Sequence, residues 1–141
     1  MATLVNATIT TALTGSTAAT SVLQVGGLMG VESVTLQATF TYGSGGTTAA
    51  AYVQTTLDGG VTWIDIANFA FTTSSAIKVA TLSALTPVTT VYTPTDGTLS
   101  SNTVKDGVLG NQFRVKVTTT GTYAASTTLR VDAIVRGTLT S

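Results

Sequence analysis

The sequence predicts an all-β domain, an antiparallel β-sandwich or jelly-roll-like fold of about seven to nine strands. Three observations carry this. Threonine supplies roughly a quarter of the 141 residues, and its β-branched side chain favours the pleated, half-buried surface of a sheet. Several segments alternate apolar and polar residues with period two, as a strand with one buried face does. Glycine-rich turn signals punctuate the chain, and the apolar spacing never settles on the 3.6 period of a helix.

Residues Thr3 to Leu13 alternate weakly and end at Thr14-Gly15-Ser16. They read as a first strand or, over residues 1–13, as an extended arm that adds to a neighbouring subunit's sheet. Ser21 to Val25 is a short strand closed by Gly26-Gly27. Val31 to Tyr42 is the clearest strand: Val34, Leu36, Ala38, Phe40 and Tyr42 face one way, and Ser33, Thr35, Gln37, Thr39 and Thr41 the other. Ala49 to Thr56 and Val61 to Phe69 come next as partners, and Ile77 to Leu82 is a further strand. Thr86 to Ser101 holds both prolines, Pro87 and Pro94, and reads as a long loop with an extended edge piece around Val91-Tyr92. Gln112 to Thr119 and Thr127 to Arg136 alternate strongly and are expected to form a hairpin through Gly121-Thr122-Tyr123. With no repeat and no linker, residues 1–141 form a single domain, of a size that closes one core.

Composition excludes several functions. Charged residues are only 9% of the chain, against about 25% in an ordinary protein, and six basic and six acidic residues cancel. No cation precedes Lys78, so the clustered charge that nucleic acid demands is missing. No run reaches the roughly 18 apolar residues of a membrane-spanning helix, and Met1 to Ala7 lacks the positive start of a secretory signal. A surface this poorly charged invites association and suits a protein partly covered by neighbours. No histidine and no cysteine are present, which removes Ser-His-Asp, Cys-His and thiolate chemistry. Of the six carboxylates, Asp58, Asp96 and Asp106 sit in turn sequences, Glu32 opens a strand, and Asp132 is flanked by Arg130 on an outer face. Asp65 alone has no assigned role, and one carboxylate is not a catalytic pair. The expectation is a protein that is not an enzyme and carries no cofactor or metal.

One motif stands out. Thr56-Leu57-Asp58-Gly59-Gly60-Val61-Thr62-Trp63 resembles the Asp-box pattern at Thr56, Asp58, Gly60, Thr62 and Trp63. The aspartate accepts backbone N–H groups within the turn. Glycine takes positive φ without steric cost, and the tryptophan packs on the adjoining strand. Asp-boxes recur in sialidases and other carbohydrate-active proteins, once per propeller blade and away from catalysis. A single copy here implies a structural clip joining two strands, and a calcium ion at Asp58 lacks the oxygen donors it needs.

The stretch Tyr52 to Phe71, together with the overall pattern, resembles small β-sandwich proteins of tailed bacteriophages, such as head decoration (cement) proteins. That resemblance implies a structural virion protein, a homo-oligomer (dimer or trimer) seated on the major capsid protein or other virion proteins. Arg114, Lys116, Arg130 and Arg136 then form a basic patch on adjacent strands, facing an acidic capsid. The alternatives are a tail-tube or tail-terminator component, and a carbohydrate-binding or adhesin-like module stacking sugars on Trp63, Tyr52, Tyr92 or Tyr123.

Overall fold

The computed structural model describes residues 2–10, 23–24 and 31–137. The described residues form eleven strands and no helix: β1 Ala2–Thr8, β2 Leu23–Gln24, β3 Ser33–Thr41, β4 Ser44–Gly45, β5 Thr48–Thr56, β6 Ile64–Phe71, β7 Ala76–Ser83, β8 Thr103–Val104, β9 Gln112–Thr120, β10 Tyr123–Ala124 and β11 Thr128–Arg136. Two antiparallel sheets form, of order β1-β11-β3-β7 and β2-β9-β5-β6-β8, and β10 with β4 makes a small ribbon at one end. The apolar side chains of both sheets meet in one buried cluster, so the molecule is a β-sandwich.

The strand order identifies the kind of sandwich. Set aside the β4–β10 ribbon and the edge piece β8, and eight strands remain, counting β2 with its two described residues. The first pairs with the last (β1 with β11), the second with the seventh (β2 with β9), the third with the sixth (β3 with β7) and the fourth with the fifth (β5 with β6). This nested wrap of one long hairpin around two sheets is a jelly roll. The period-2 alternation is shared by every sandwich, so the pairing, not the pattern, distinguishes this one.

The wrap corrects the expected hairpin at Gly121-Thr122-Tyr123. β9 pairs with β2 and β5, whereas β11 pairs with β1 and β3 in the opposite sheet. The intervening chain crosses between sheets, and Tyr123 drops into the core. Its ring meets Phe40 edge-on at 5.6 Å, and its hydroxyl donates to the carbonyl of Thr72 at 2.6 Å. Gly46 lies against that ring: a Cβ there would come within 2.4 Å of it, and the residue has φ +68°, so glycine alone fits. Phe40 also stacks on Phe71 at 5.0 Å, tying the two sheets together at this end.

Of the two readings of the N-terminal segment, the described residues follow the first strand. β1 lies within its own sheet, in register with β11 from Ala2↔Ala133 to Thr8↔Thr128. A bulge between Thr3 and Val5 lets Leu4 and Val5 both turn inward, and Ala7 and Ile9 after them. Burying these four offsets the cost of ordering the segment. Residues 11–13 of the arm, and most of Ser21 to Val25 around β2, lie outside the described residues. The edge piece expected at Val91-Tyr92 is not a strand: flanking prolines withhold ladder donors, and Val91 is 98% exposed. The strand expected from Val61 begins only at Ile64, because the turn extends through Thr62.

Candidate functional site

The Thr56–Trp63 turn closes the β5–β6 hairpin. The Thr56 hydroxyl donates to Asp58 Oδ1 at 2.9 Å and accepts the N–H of Gly60 at 3.0 Å. Asp58 Oδ1 also accepts the N–H of Thr62 at 2.8 Å. That bond, then the Thr62 hydroxyl, holds the Asp58 carboxyl below the usual carboxylate range. Gly59 and Gly60 both have positive φ. Trp63 leaves the turn with the Arg114 guanidinium over its ring, 4.3 Å from the centroid, a cation–π contact. The turn residues expected from the sequence therefore stand together, as a clip whose polar atoms bond one another.

From Arg114 a polar network runs across the outer face of the β9-β5-β6 region. Arg114 Nε donates to Gln54 Oε1 at 2.7 Å, and Gln54 Nε2 donates to Asp65 at 2.8 Å and to Asp96 at 2.6 Å. Asp96 pairs with Arg114 at 3.4 Å and with Lys116 at 3.2 Å. Burial pushes the Asp96 carboxyl up, but hydrogen bonds from Gln54 and Lys116 and the charges of Lys116 and Arg114 outweigh it, leaving it below the usual range.

Asp65 is the centre of this region and is 2% exposed. The successive N–H groups of Gly97, Thr98 and Leu99 converge on its carboxylate at 2.8–3.2 Å, joined by the Thr95 hydroxyl at 2.8 Å. Consecutive N–H groups of this kind form an anion-binding nest, here filled by the chain's own side chain. Gly97, at φ +94°, makes that curvature without strain. Asn68 adds a second anchor, donating to the Leu99 carbonyl at 2.7 Å. The segment 93–102 is thereby bound over the sheet. This is the role of Asp65 that the sequence did not assign. Its visible signal was a carboxylate inside the apolar run Ile64-Asp65-Ile66, a position only a saturated set of donors can stabilise.

The remaining aspartates are engaged too. Asp106 accepts the Ser83 N–H at 2.6 Å and the Thr86 hydroxyl at 3.0 Å. Asp132 pairs with Arg130 at 3.0 Å and accepts from Thr3 at 2.9 Å. Among the described residues no three acidic side chains gather as a metal site, and no helix is long and apolar enough to cross a membrane.

The four cations expected in one patch are divided. Arg114 and Lys116 lie on the outer face of the β9 sheet and are tied to Asp96. Arg130 and Arg136 lie on β11, on the outer face of the other sheet. The patch is corrected for the same reason as the hairpin: β9 and β11 are not neighbours in a jelly roll.

Two surfaces remain uncommitted. Beside the anchored loop, a groove of about 510 Å³ crosses the outer face of β5 and β9, lined by Thr48, Tyr52, Ser74, Ser101, Thr118 and Thr120 among others. It carries mainly hydroxyls, with the rings of Tyr52 and Phe71 and the side chains of Lys78 and Asn102 in its wall. On the opposite sheet, β7 is an edge strand with Ile77 and Val79 exposed at 64% and 67%, and Ile134 is half-exposed nearby on the same outer face. Such an apolar edge is unusual on a free protein. No family model, no curated protein and no solved structure matches this chain.

Proposed function

We propose that this chain is a structural virion protein, a decoration or cement protein that seats on the head lattice of a tailed phage and stabilises it. Its partners on this reading are the major capsid protein or other virion proteins, together with further copies of itself. The observation that carries the reading is the nested jelly-roll wrap, an architecture that viral capsid domains use repeatedly. Fold alone does not make function, so the site chemistry matters as well. All five aspartates are spent on turns, loop anchors and ion pairs, and no histidine or cysteine is present. A protein of this kind acts through its surfaces.

The test is addition of the purified protein to capsid shells that lack it, made from the phage that encodes it. Saturable co-sedimentation at a fixed number of copies per shell, with a raised shell melting temperature, is the expected result. Decoration of tails instead of heads in electron micrographs would move the role to the tail tube or its terminator.

A second reading, a carbohydrate-binding module, is favoured by the hydroxyl-lined groove at Tyr52, whose volume lies within the usual range for ligand sites. Against it, Trp63 has one ring face under Arg114 and Tyr92 stacks on Lys105 at 3.9 Å, so few rings are free for a sugar. Saturable glycan binding that a Tyr52→Ala substitution abolishes, with no binding to shells, would establish this second reading over the first.

A further inference from the structure

The backbone of β7 alternates in direction. Ala84 donates its N–H to Glu32 toward β3 at 2.7 Å, whereas Ser83 donates to Asp106 on the other side at 2.6 Å. By the same alternation, Thr81, Val79 and Ile77 present their N–H and C=O groups to the open edge. Among the described residues none of these groups has a partner. Their side chains stand on the outer face, with Ile77 and Val79 largely exposed. The inward side chain Lys78 is held on its own molecule, donating to the Ala70 carbonyl and to Asn102 Oδ1. Its charge therefore does not shield the edge as an outward lysine would.

We infer that β7 pairs antiparallel with β7 of a second copy, about a two-fold axis at Val79, joining two four-stranded sheets into one. The free positions fit a second copy and fix its register. Residues 77, 79 and 81 are symmetric about Val79, so this register uses all three and ends where Asp106 has closed the edge at Ser83. Val79 then faces Val79 of the second copy, and Ile77 faces Thr81. About six backbone hydrogen bonds form across such a pair. The strand's single charge, Lys78, lies opposite Ala80 of the second copy, so no like charges meet, and a chain of zero net charge brings no long-range repulsion. The pairing extends the homo-oligomer of the lattice reading but stands without it.

Sedimentation of the full chain over a rising concentration series is expected to show a monomer–dimer equilibrium. Val79→Lys sets two ammonium groups face to face and is expected to leave only monomer, melting as the parent does at concentrations where the parent is monomeric, because the side chain is exposed. Val91→Lys, on the exposed loop, is expected to dimerise as the parent does. Opposed residues of a hydrogen-bonded antiparallel pair lie about 5.5 Å apart at Cα, within disulfide reach, and the chain has no cysteine of its own. Val79→Cys is therefore expected to form a covalent dimer on mild oxidation much faster than Val91→Cys. A parent that stays monomeric, a Val79→Lys variant that still dimerises, or equal cross-linking of the two cysteine variants would each overturn the pairing. A monomer that still binds shells overturns the pairing alone; a dimer that binds none overturns the lattice reading alone.

Discussion

β6 and β7 are consecutive eight-residue strands, yet one is sealed and the other open. Along the β6 edge the N–H of Asp65 goes to the Thr95 carbonyl, and the Ile66 carbonyl accepts from Lys105. Ala67 and Asn68 pair with β8, the Ala70 N–H goes to Asn102, and the Ala70 carbonyl accepts from Lys78. Seven of its eight residues are buried. Among the described residues only Ser83 of β7 is capped, and of its eight side chains only Leu82 is fully buried. The difference lies in the path of the long loop between β7 and β8. That loop folds back over β6, not over β7, and the Asp65 carboxylate holds it there. The Asp65 carboxylate, with four donors from that loop, is thus the most connected of the anchors that close this edge.

The strongest way to break this contrast is Asp65→Ala. It leaves the N–H groups of Gly97, Thr98 and Leu99 without their acceptor and removes the anchor of segment 93–102. Unfolding in denaturant should show a loss of about 3–5 kcal/mol, since several donors are orphaned together. Limited proteolysis should cut first between Thr93 and Asn102. A variant as stable as the parent would mean that the nest does not hold the loop. A paired truncation gives the next largest effect. Ile66→Ala in the sealed strand should cost about 2–5 kcal/mol, and Val79→Ala in the open one less than about 0.5 kcal/mol, measured in the same denaturant titration. Equal losses would contradict the burial difference between the strands.

The Thr56–Trp63 clip is sharpened by a smaller change. Trp63→Ala removes the ring beneath Arg114, an interaction worth about 0.5–1 kcal/mol at a partly exposed site, and should also loosen the contacts Arg114 makes with Gln54 and Asp96. Arg114→Lys in the parent should lose a comparable amount, because lysine cannot both stack and donate sideways through Nε. Additive losses in the double variant would show that the clip and the loop anchor are not coupled through Arg114.

The features legible in the sequence divide along the same line. β3, β9 and β11 are plain because each buries one face and exposes the other, so the pattern reports the environment directly. The clip is plain because all its hydrogen bonds are local, from Thr56 to Thr62. β6 reads as a strand, but its two-sided burial does not show, because the cover comes from residues about thirty positions later. Asp65 carries the only hint, and its donors cannot be paired to it without the fold. The β9–β11 hairpin and the four-cation patch both fail through one assumption, that neighbouring strands in sequence are neighbours in a sheet. That rule describes most connections, but a jelly roll sends its last strand back to its first. Gly121, with φ +73°, suits the turn of a hairpin and the turn of a crossover equally well.

The finest difference between the two edges lies at Asp106, which among the described residues is the one group that caps the β7 edge. Its carboxyl is held below the usual carboxylate range by the Ser83 N–H first, then by the Thr86 hydroxyl and the Gly107 N–H, against a smaller opposing push from burial. A carboxyl whose folded pKa is lowered adds stability that is fully present above its unfolded value, and loses it as the pH falls through the folded one. The cap should therefore be intact at neutral pH and release only in acid, below the ordinary aspartate range near 3.9. The Asp58 and Asp96 carboxyls are also held below the usual range and take up protons in acid, so a global melting curve would mix all three. The Ser83 amide reports on Asp106 alone. Its NMR resonance should shift, and its hydrogen exchange quicken, with a midpoint below that range in the parent. Asp106→Asn, which keeps an acceptor but no titrating proton, should flatten the transition. A Ser83 midpoint at or above the ordinary aspartate value would show that the Ser83 bond does not lower the Asp106 carboxyl, and no acid transition at all would show that the cap does not depend on its charge.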